Sequence, residues 1–586
     1  MLLLESLIDI NSPFALYITD VLQSIGFIRG GKKWVVLVFL FEFWWVFLFF
    51  KRQKATTVAW LRHDVLFLGS LLLGIFLIRL PMLNYSHLDV DEADWLVGAA
   101  TFYKDPYFWK SVDGTTSGPL SIIPLSLIPL LGGVLSYVSV RLFALLVYLL
   151  PGVLFTYLGL KNVYGRNIAT LTVIPLAGVM AVTQNLNAYN GEFPILFLTA
   201  LSFYLYSITP SRWKAAFYFF AGVVMGLFVY SKPQAIPLGM IIALGFLWKL
   251  LNIQAPGKYW LLFIFGGLFP SILVSIYLSA NHLWLDFINS YIYNNLFYGG
   301  VHGAFGNDYT AGDILSKMLD YLVSQPEYSY WMLTGLVSFL IGFLFVTTSF
   351  FQLNDDSGRE LLFALFMISF AFFCTVKPLT FFYHYQNILL VPIAWLTGTS
   401  FATAHRLFGS LNVESIVFKP LLKNVFIPFF FVFTLLLGSI QAIEHTEPTL
   451  FLLGGTEDRR SLEAKMISTY TQPNEKMAIW GWNTPLFIDT QLLQGTRDGH
   501  THYHMHPIKL QDYYLERYVK DLIQNQPTVL VETFIGYSAL IFGAEGRKKF
   551  GLENYPVVYD YVKTHYDLKE DVNGQTRIFV LKNSTI

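Results

Sequence analysis

The sequence predicts a polytopic α-helical membrane protein with a small C-terminal α/β domain outside the bilayer, and three observations carry that expectation. Of 586 residues, 54% are hydrophobic and only 13% are charged, a balance that no ordinary water-soluble globule shows. The apolar residues fall in runs long enough to cross a bilayer, about 11–13 of them by length. The last stretch of the chain, after Ile443, turns polar and mixes helical and strand periodicities.

The runs come in order at 34–50, 64–81, 137–158, 168–183, 193–208, 215–230, 235–250, 259–279, 331–351, 361–376, 389–404 and 425–443. Residues 119–131 are apolar too, but the run is short and interrupted by Pro124 and Pro129. It reads as lying in the interface rather than crossing. The expected organisation is an N-terminal segment (1–33), a membrane domain (34–443) that includes an outer loop at 82–136, and an outer α/β domain (444–586).

Basic residues test this layout, because short cytoplasmic loops gather lysine and arginine. Lys51, Arg52, Lys54 and Arg62 share one loop; Lys161 and Arg166, Arg212 and Lys214, Lys249 and Lys258, Arg359, and then Arg406, Lys419 and Lys423 fall in alternate ones. The intervening loops are long or acidic and are expected on the outer face of the plasma (inner) membrane. Were 119–131 a span, every later basic loop would invert. The run at 34–50 is flanked by basic residues at both ends and leaves the N-terminal side open.

In the outer domain the pattern predicts helices over 461–470 and 510–524 and strands over 476–482, 528–533 and 577–581. A formal net charge of zero offers nothing to nucleic acid, and the lone Cys374 excludes an internal disulfide or a cysteine metal site. Glu5, Asp9 and Asp20 stand where a cleavable signal peptide would carry basic residues.

The chemistry concentrates in 87–100, HLDVDEADWLVGAA, where Asp89, Asp91, Glu92 and Asp94 follow a predicted span directly. Acids here reach both a lipid-borne and a water-soluble reactant, although capping a helix that starts near Ala93 would use the same residues. With this stretch, SGPL at 117–120 and VRLFALL at 140–146 run in an order that resembles GT-C glycosyltransferases. The resemblance is to bacterial members related to protein O-mannosyltransferases and lipid A aminoarabinose transferases. SGPL keeps one proline of the family's pair, and VRLF lacks the family's proline.

The resemblance implies an inverting transfer of a sugar from a polyprenyl-phosphate carrier to a lipid, glycan or protein acceptor. Such a transfer needs a single base, since phosphate departs without a proton. The matching positions imply Asp91 as that base, with Glu92 as its catalytic neighbour. Lys232, in the turn YSKPQ, matches a family lysine expected at the donor phosphate; a cation in such a place is costly unless used, although lysines at span ends also snorkel. Arg141 and Arg79 are further candidates for the phosphate, Arg141 alternatively pairing with an acid of the first loop. Glu192 in NGEFP and Lys377, His384 and Tyr385 in KPLTFFYHYQN are candidates for the sugar or acceptor.

Four imidazoles, His500, His502, His504 and His506, alternate in sequence and would share one side if the segment were extended. They read as a zinc site or as a polar loop roofing the active site. The family is mixed in metal use, so a divalent metal is left open and is not required. The rival class, a transporter or flippase for a polar or lipid-linked substrate, would place ionisable residues within the spans; here most lie at their ends.

Overall fold

The computed structural model describes residues 60–80, 83, 88–208, 214–298, 310–323, 326–348, 356–410, 460–543, 545–572 and 574–582. The expected spans at 34–50 and 425–443 lie outside the described residues. The other ten fall on helices: α1 (Trp60–Arg79), α3 (Tyr137–Tyr164), α4 (Arg166–Val182), α5 (Glu192–Ser207), α6 (Lys214–Ser231), α7 (Ile236–Asn252), α8 (Gly257–Ala280), α9 (Pro326–Thr348), α10 (Asp356–Val376) and α11 (Leu390–Ser410). Helix α2 (Val90–Lys104) belongs to the loop after α1. Four helices among the described residues are long and apolar enough to cross a bilayer by themselves, and five apolar helices are shorter.

Small residues set the helix spacing where packing is closest. A Cβ on Gly222 of α6 would collide with the Phe263 carbonyl of α8, so glycine lets the two backbones touch. The far side of α8 (Leu261, Ile264, Leu268, Ile272, Ile276) is exposed and apolar, as a lipid-facing surface requires. The 119–131 run forms two 3₁₀ turns and one helical turn, Leu127–Leu130, too short to cross.

Ion pairs sort the loops to two ends. At one end Asp64 pairs with Lys161 at 3.0 Å and Arg166 at 2.8 Å, and Tyr206 donates to Glu360 at 3.1 Å. At the other end lie the start of α3, the α6–α7 turn, α2 and the C-terminal sheet. Among the described residues, the loops carrying Lys161 and Arg166, Lys249, and Arg359 therefore meet at the first of these ends; Lys51, Arg52, Lys54, Arg212, Lys419 and Lys423 lie outside the described residues.

The C-terminal sheet has five strands in the order β2-β1-β3-β5-β4. β1 (Lys476–Gly481) pairs in parallel with β2 (Leu493–Gln494) and β3 (Val529–Thr533); β5 (Thr576–Leu581) is antiparallel to β3 and β4 (Tyr566–Val572). The expected strands coincide with β1, β3 and β5. Strand β4, YDLKEDV, escaped the pattern because it is a mostly exposed edge strand whose charged side chains carry no apolar alternation. Helix α12 (Gln511–Asn525) buries Tyr514, Tyr518 and Leu522. Helix α2 joins this domain's core: Val97 packs with Met477, Ile479 and Leu486.

Candidate functional site

The four acids of the first loop have separate environments. Asp89 caps α2, its Oδ1 accepting from the Asp91 N–H at 3.0 Å. Glu92, fully buried, accepts from Arg141 Nε at 2.8 Å, from Arg141 Nη2, and from the Tyr189 N–H at 2.9 Å. Asp94 faces the C-terminal domain, where Trp482 Nε1 donates to its Oδ2 at 3.2 Å. Among the described residues, Asp91 is the one carboxylate of the four without a side-chain bond of this kind. Burial, reinforced by the Asp89 charge and opposed by Lys232, pushes its pKa up to about 8.

Three turns converge beneath α2. The Gly118 N–H donates to the Ser231 carbonyl at 2.8 Å. A Cβ at Gly118 would strike the Tyr230 carbonyl and the Tyr291 hydroxyl, so SGPL can lie against YSK only with glycine in the middle. Tyr189 donates its hydroxyl to the Ser121 carbonyl at 2.8 Å, bringing in the turn that leads to Glu192. There Lys232 Nζ lies 2.5 Å from Glu192 Oε1 and 4.4 Å from the centre of the Tyr385 ring. Among the described residues, Ser117 Oγ, Ser231 Oγ and Glu192 Oε2 are buried at this junction without a protein hydrogen-bond partner.

A cavity of about 210 Å³ opens beside Lys232. Its polar lining includes Lys232, Lys377, Tyr385, Asn295, Gln234 and Thr116, and its apolar lining includes Ile236, Ile292, Leu296 and Phe373. Leu296 and Phe373 are also exposed on the outer surface of the helices, so cationic groups and an apolar wall share one space.

Lys232, Lys377 and Tyr385 line the cavity; Glu192 joins them through Lys232 and His384 by packing edge-on against Tyr385 at 4.7 Å between ring centres, while Asp91 lies outside the lining, within electrostatic reach of Lys232 and Glu192. Burial lowers the His384 pKa, with Glu192 pulling it back up. Arg141 is committed to Glu92 and the Leu83 carbonyl, and Arg79 donates to the Met180 carbonyl at 2.7 Å, fastening α1 to α4. Neither arginine is among the cavity's lining residues. Sequence reasoning missed Gln234, Asn295 and Thr116, whose neutral polar side chains carry no motif, and Trp482, separated from Asp94 by 388 residues.

The histidine run is not extended. His502–Met505 is a helical turn, which breaks the expected alternation. The His500 ring lies on Trp482, 4.0 Å between centres at 14°, with Nε2 4.0 Å from Asp94 Oδ2. His504 Nε2 is 3.4 Å from Asp498 Oδ2, and the His502 and His506 rings are 4.4 Å apart. Among the described residues no group of three or more His, Cys, Asp or Glu is placed to hold a metal ion. The segment packs where α2 meets the sheet.

No family model and no curated protein matches the chain. Among solved structures it is similar to ArnT from Cupriavidus metallidurans bound to undecaprenyl phosphate, with a TM-score of 0.53 and 11% identity over 89% of this chain and 98% of that one. The apo state of that protein gives a TM-score of 0.47 at 12% identity, over 88% and 97% of the two chains. The Archaeoglobus fulgidus oligosaccharyltransferase tethered with an acceptor peptide gives 0.41 at 12% identity, over 89% and 74%. At such identity the likeness to ArnT is one of fold: this chain is a polytopic helical membrane protein that shares that fold, with a small C-terminal α/β domain.

Proposed function

We infer that the protein is an inverting membrane glycosyltransferase that moves a sugar from a polyprenyl-phosphate carrier to a lipid, glycan or protein acceptor on the outer face of the plasma membrane. The observation that carries this reading is the cavity in which Lys232, held between Glu192 and the Tyr385 ring, meets an apolar wall. A lipid phosphate is a ligand with that division of chemistry. The solved structure with the shared fold was obtained with undecaprenyl phosphate bound, in keeping with a carrier of this class.

In this mechanism Lys232, buried against Glu192, offsets the charge of the departing phosphate, as a fixed cation at a low-dielectric site is effective there, and the exposed Lys377 adds to it. Asp91 takes the proton from the acceptor hydroxyl as its oxygen attacks the anomeric carbon. The bond from that carbon to phosphate oxygen breaks as the new glycosidic bond forms, and the phosphate leaves as an anion. A base with a pKa near 8 holds the proton it receives while remaining partly ionised at neutral pH. Glu92 acts on Asp91 only indirectly, by fixing α2 against α3.

The test is transfer by the purified protein from a polyprenyl-phosphate sugar, with envelope glycolipids and glycoproteins of a deletion strain supplying the acceptor. Lys232→Ala is expected to raise the donor concentration needed. Because it also strands the buried Glu192 carboxylate, donor affinity is compared at matched folded fraction with that of Lys232→Ala combined with Glu192→Gln, which leaves no stranded charge. Unchanged donor affinity would leave Lys232 as a structural partner of Glu192 only.

A further inference from the structure

Two of the segments that line the cavity, from different parts of the chain, are tied to the C-terminal domain. One wall includes Thr116, in the loop after α2; the other is the helical segment 284–298, which contributes Tyr291, Ile292, Asn295 and Leu296. Arg517 of α12 donates to Asp113 Oδ2 at 2.8 Å, three residues before Thr116, and also pairs with Asp498. Arg497 donates from Nη1 to the Trp109 carbonyl at 2.9 Å, and the same nitrogen lies 3.1 Å from Asp286 Oδ1. The Tyr513 hydroxyl donates to that Asp286 oxygen at 2.7 Å.

Asp286 is the one charged residue in the segment 284–298. Leu285, Ile288, Ile292 and Leu296 expose an apolar face, while Ser290 and Tyr291 are buried against the bundle. Arg497 does not need Asp286 for its own neutralisation, because Asp521 already accepts from its Nε at 2.9 Å and its Nη2 at 2.7 Å. The third contact therefore serves the other partner: it fastens a largely apolar, otherwise uncharged wall to the domain above it.

We propose that Asp286 is a positioning residue through which Arg497 and Tyr513 of the C-terminal domain hold the 284–298 wall in the shape that accepts the lipid phosphate. The proposal rests on the reading of this cavity as the donor site. Asp286 touches no reacting atom in this scheme; it acts through Tyr291, Ile292, Asn295 and Leu296.

The experiment titrates undecaprenyl phosphate into the full chain in nanodiscs and follows binding by native mass spectrometry. Asp286→Ala should raise Kd roughly three- to tenfold, the scale of a partly exposed ion pair with an added hydrogen bond. In transfer assays it should raise the donor KM more than it lowers kcat, and the melting temperature of the unliganded protein should stay near that of the wild type. Tyr513→Phe, which removes one hydroxyl, should move Kd in the same direction by less, and it carries the test if Asp286→Ala fails to fold. Wild-type Kd in a folded variant would overturn the proposal. Absence of binding by the wild type would instead sink the donor reading, and the proposal with it.

Discussion

Arg141 meets Glu92 across 49 residues of sequence in a two-pronged ion pair that is almost wholly shielded from solvent. The pair joins the start of α3 to the first-loop helix, and the Tyr189 N–H adds the turn before α5. One carboxylate thus fixes three elements around the site. It also separates the two members of the Asp-Glu pair: Glu92 faces inward to hold α2, and Asp91, one residue earlier, is left available.

Glu92→Ala is therefore expected to act on folding before chemistry. Removing one partner of a buried pair strands the other charge, at a cost of about 3–5 kcal/mol. The yield of monodisperse protein and its melting temperature should both fall. Glu92→Ala with Arg141→Met should recover part of the loss, because no charge is then stranded. A Glu92→Ala protein with wild-type stability would refute the structural assignment.

Asp91→Asn keeps the size of the side chain but cannot take the proton. Transfer should drop by roughly a hundredfold or more, the scale of general-base catalysis, with undecaprenyl phosphate binding retained. The wild-type rate should also depend on pH with a fixed sign. The base works only when ionised, so activity should climb as pH rises toward about 8 and level off above it. Asp89→Asn removes a charge that raises the Asp91 pKa and should shift this rise to lower pH. If Asp89→Asn abolished transfer and Asp91→Asn did not, the base would lie two residues earlier.

Much of this was legible in the sequence, for physical reasons that differ from element to element. Spans such as 259–279 are set by composition alone, and the edges of β1 and β3 by apolar runs between turn residues. Lys232 stood out because a lysine between two apolar stretches has few cheap places to go. The partners were not legible. Nothing local in Asp113, Asp286 or Trp482 says that each faces an element hundreds of residues distant, and the alternation at 500–506 left an extended segment and a loop both open, where the structure has a helical turn over His502–Met505. Arg141 had two readings in sequence, and only the fold shows the guanidinium on Glu92.

The ends of the bundle give a labelling test of sidedness. Lys110 and Lys548 are exposed at the end that carries α2 and the sheet, whereas Gln254 is exposed at the opposite end. The sole native cysteine, Cys374, is buried and contributes little background. Cysteines at Lys110 and Lys548 should react with a membrane-impermeant maleimide in intact cells, and a cysteine at Gln254 should react only after permeabilisation. Protection at Lys110 or labelling at Gln254 in intact cells would invert the proposed orientation.

Acid should loosen the junction between α2 and the C-terminal domain, and His500 is the group that shows the sign most directly. Burial holds its pKa down at about 3, and burial holds His506 down at about 4, both below the roughly 6.5 of an unfolded histidine. Between those values the unfolded chain binds more protons than the folded one. Stability is then full above pH of about 6.5 and is lost as pH falls from there toward the folded pKa values. Asp498 works in the same sense at lower pH: burial would raise its pKa, but Arg517 and His504 hold it below the usual carboxylate range. Asp94, beside His500, opposes them, since burial raises its pKa well above normal and acid relieves that cost. Replacing His500 alone isolates the imidazole's share. His500→Phe keeps an aromatic ring against Trp482 and removes the titration. Melting temperatures of the purified protein from pH 7.5 to 4 should fall steeply for the wild type and less steeply for His500→Phe, while parallel curves would show that this imidazole does not govern acid stability.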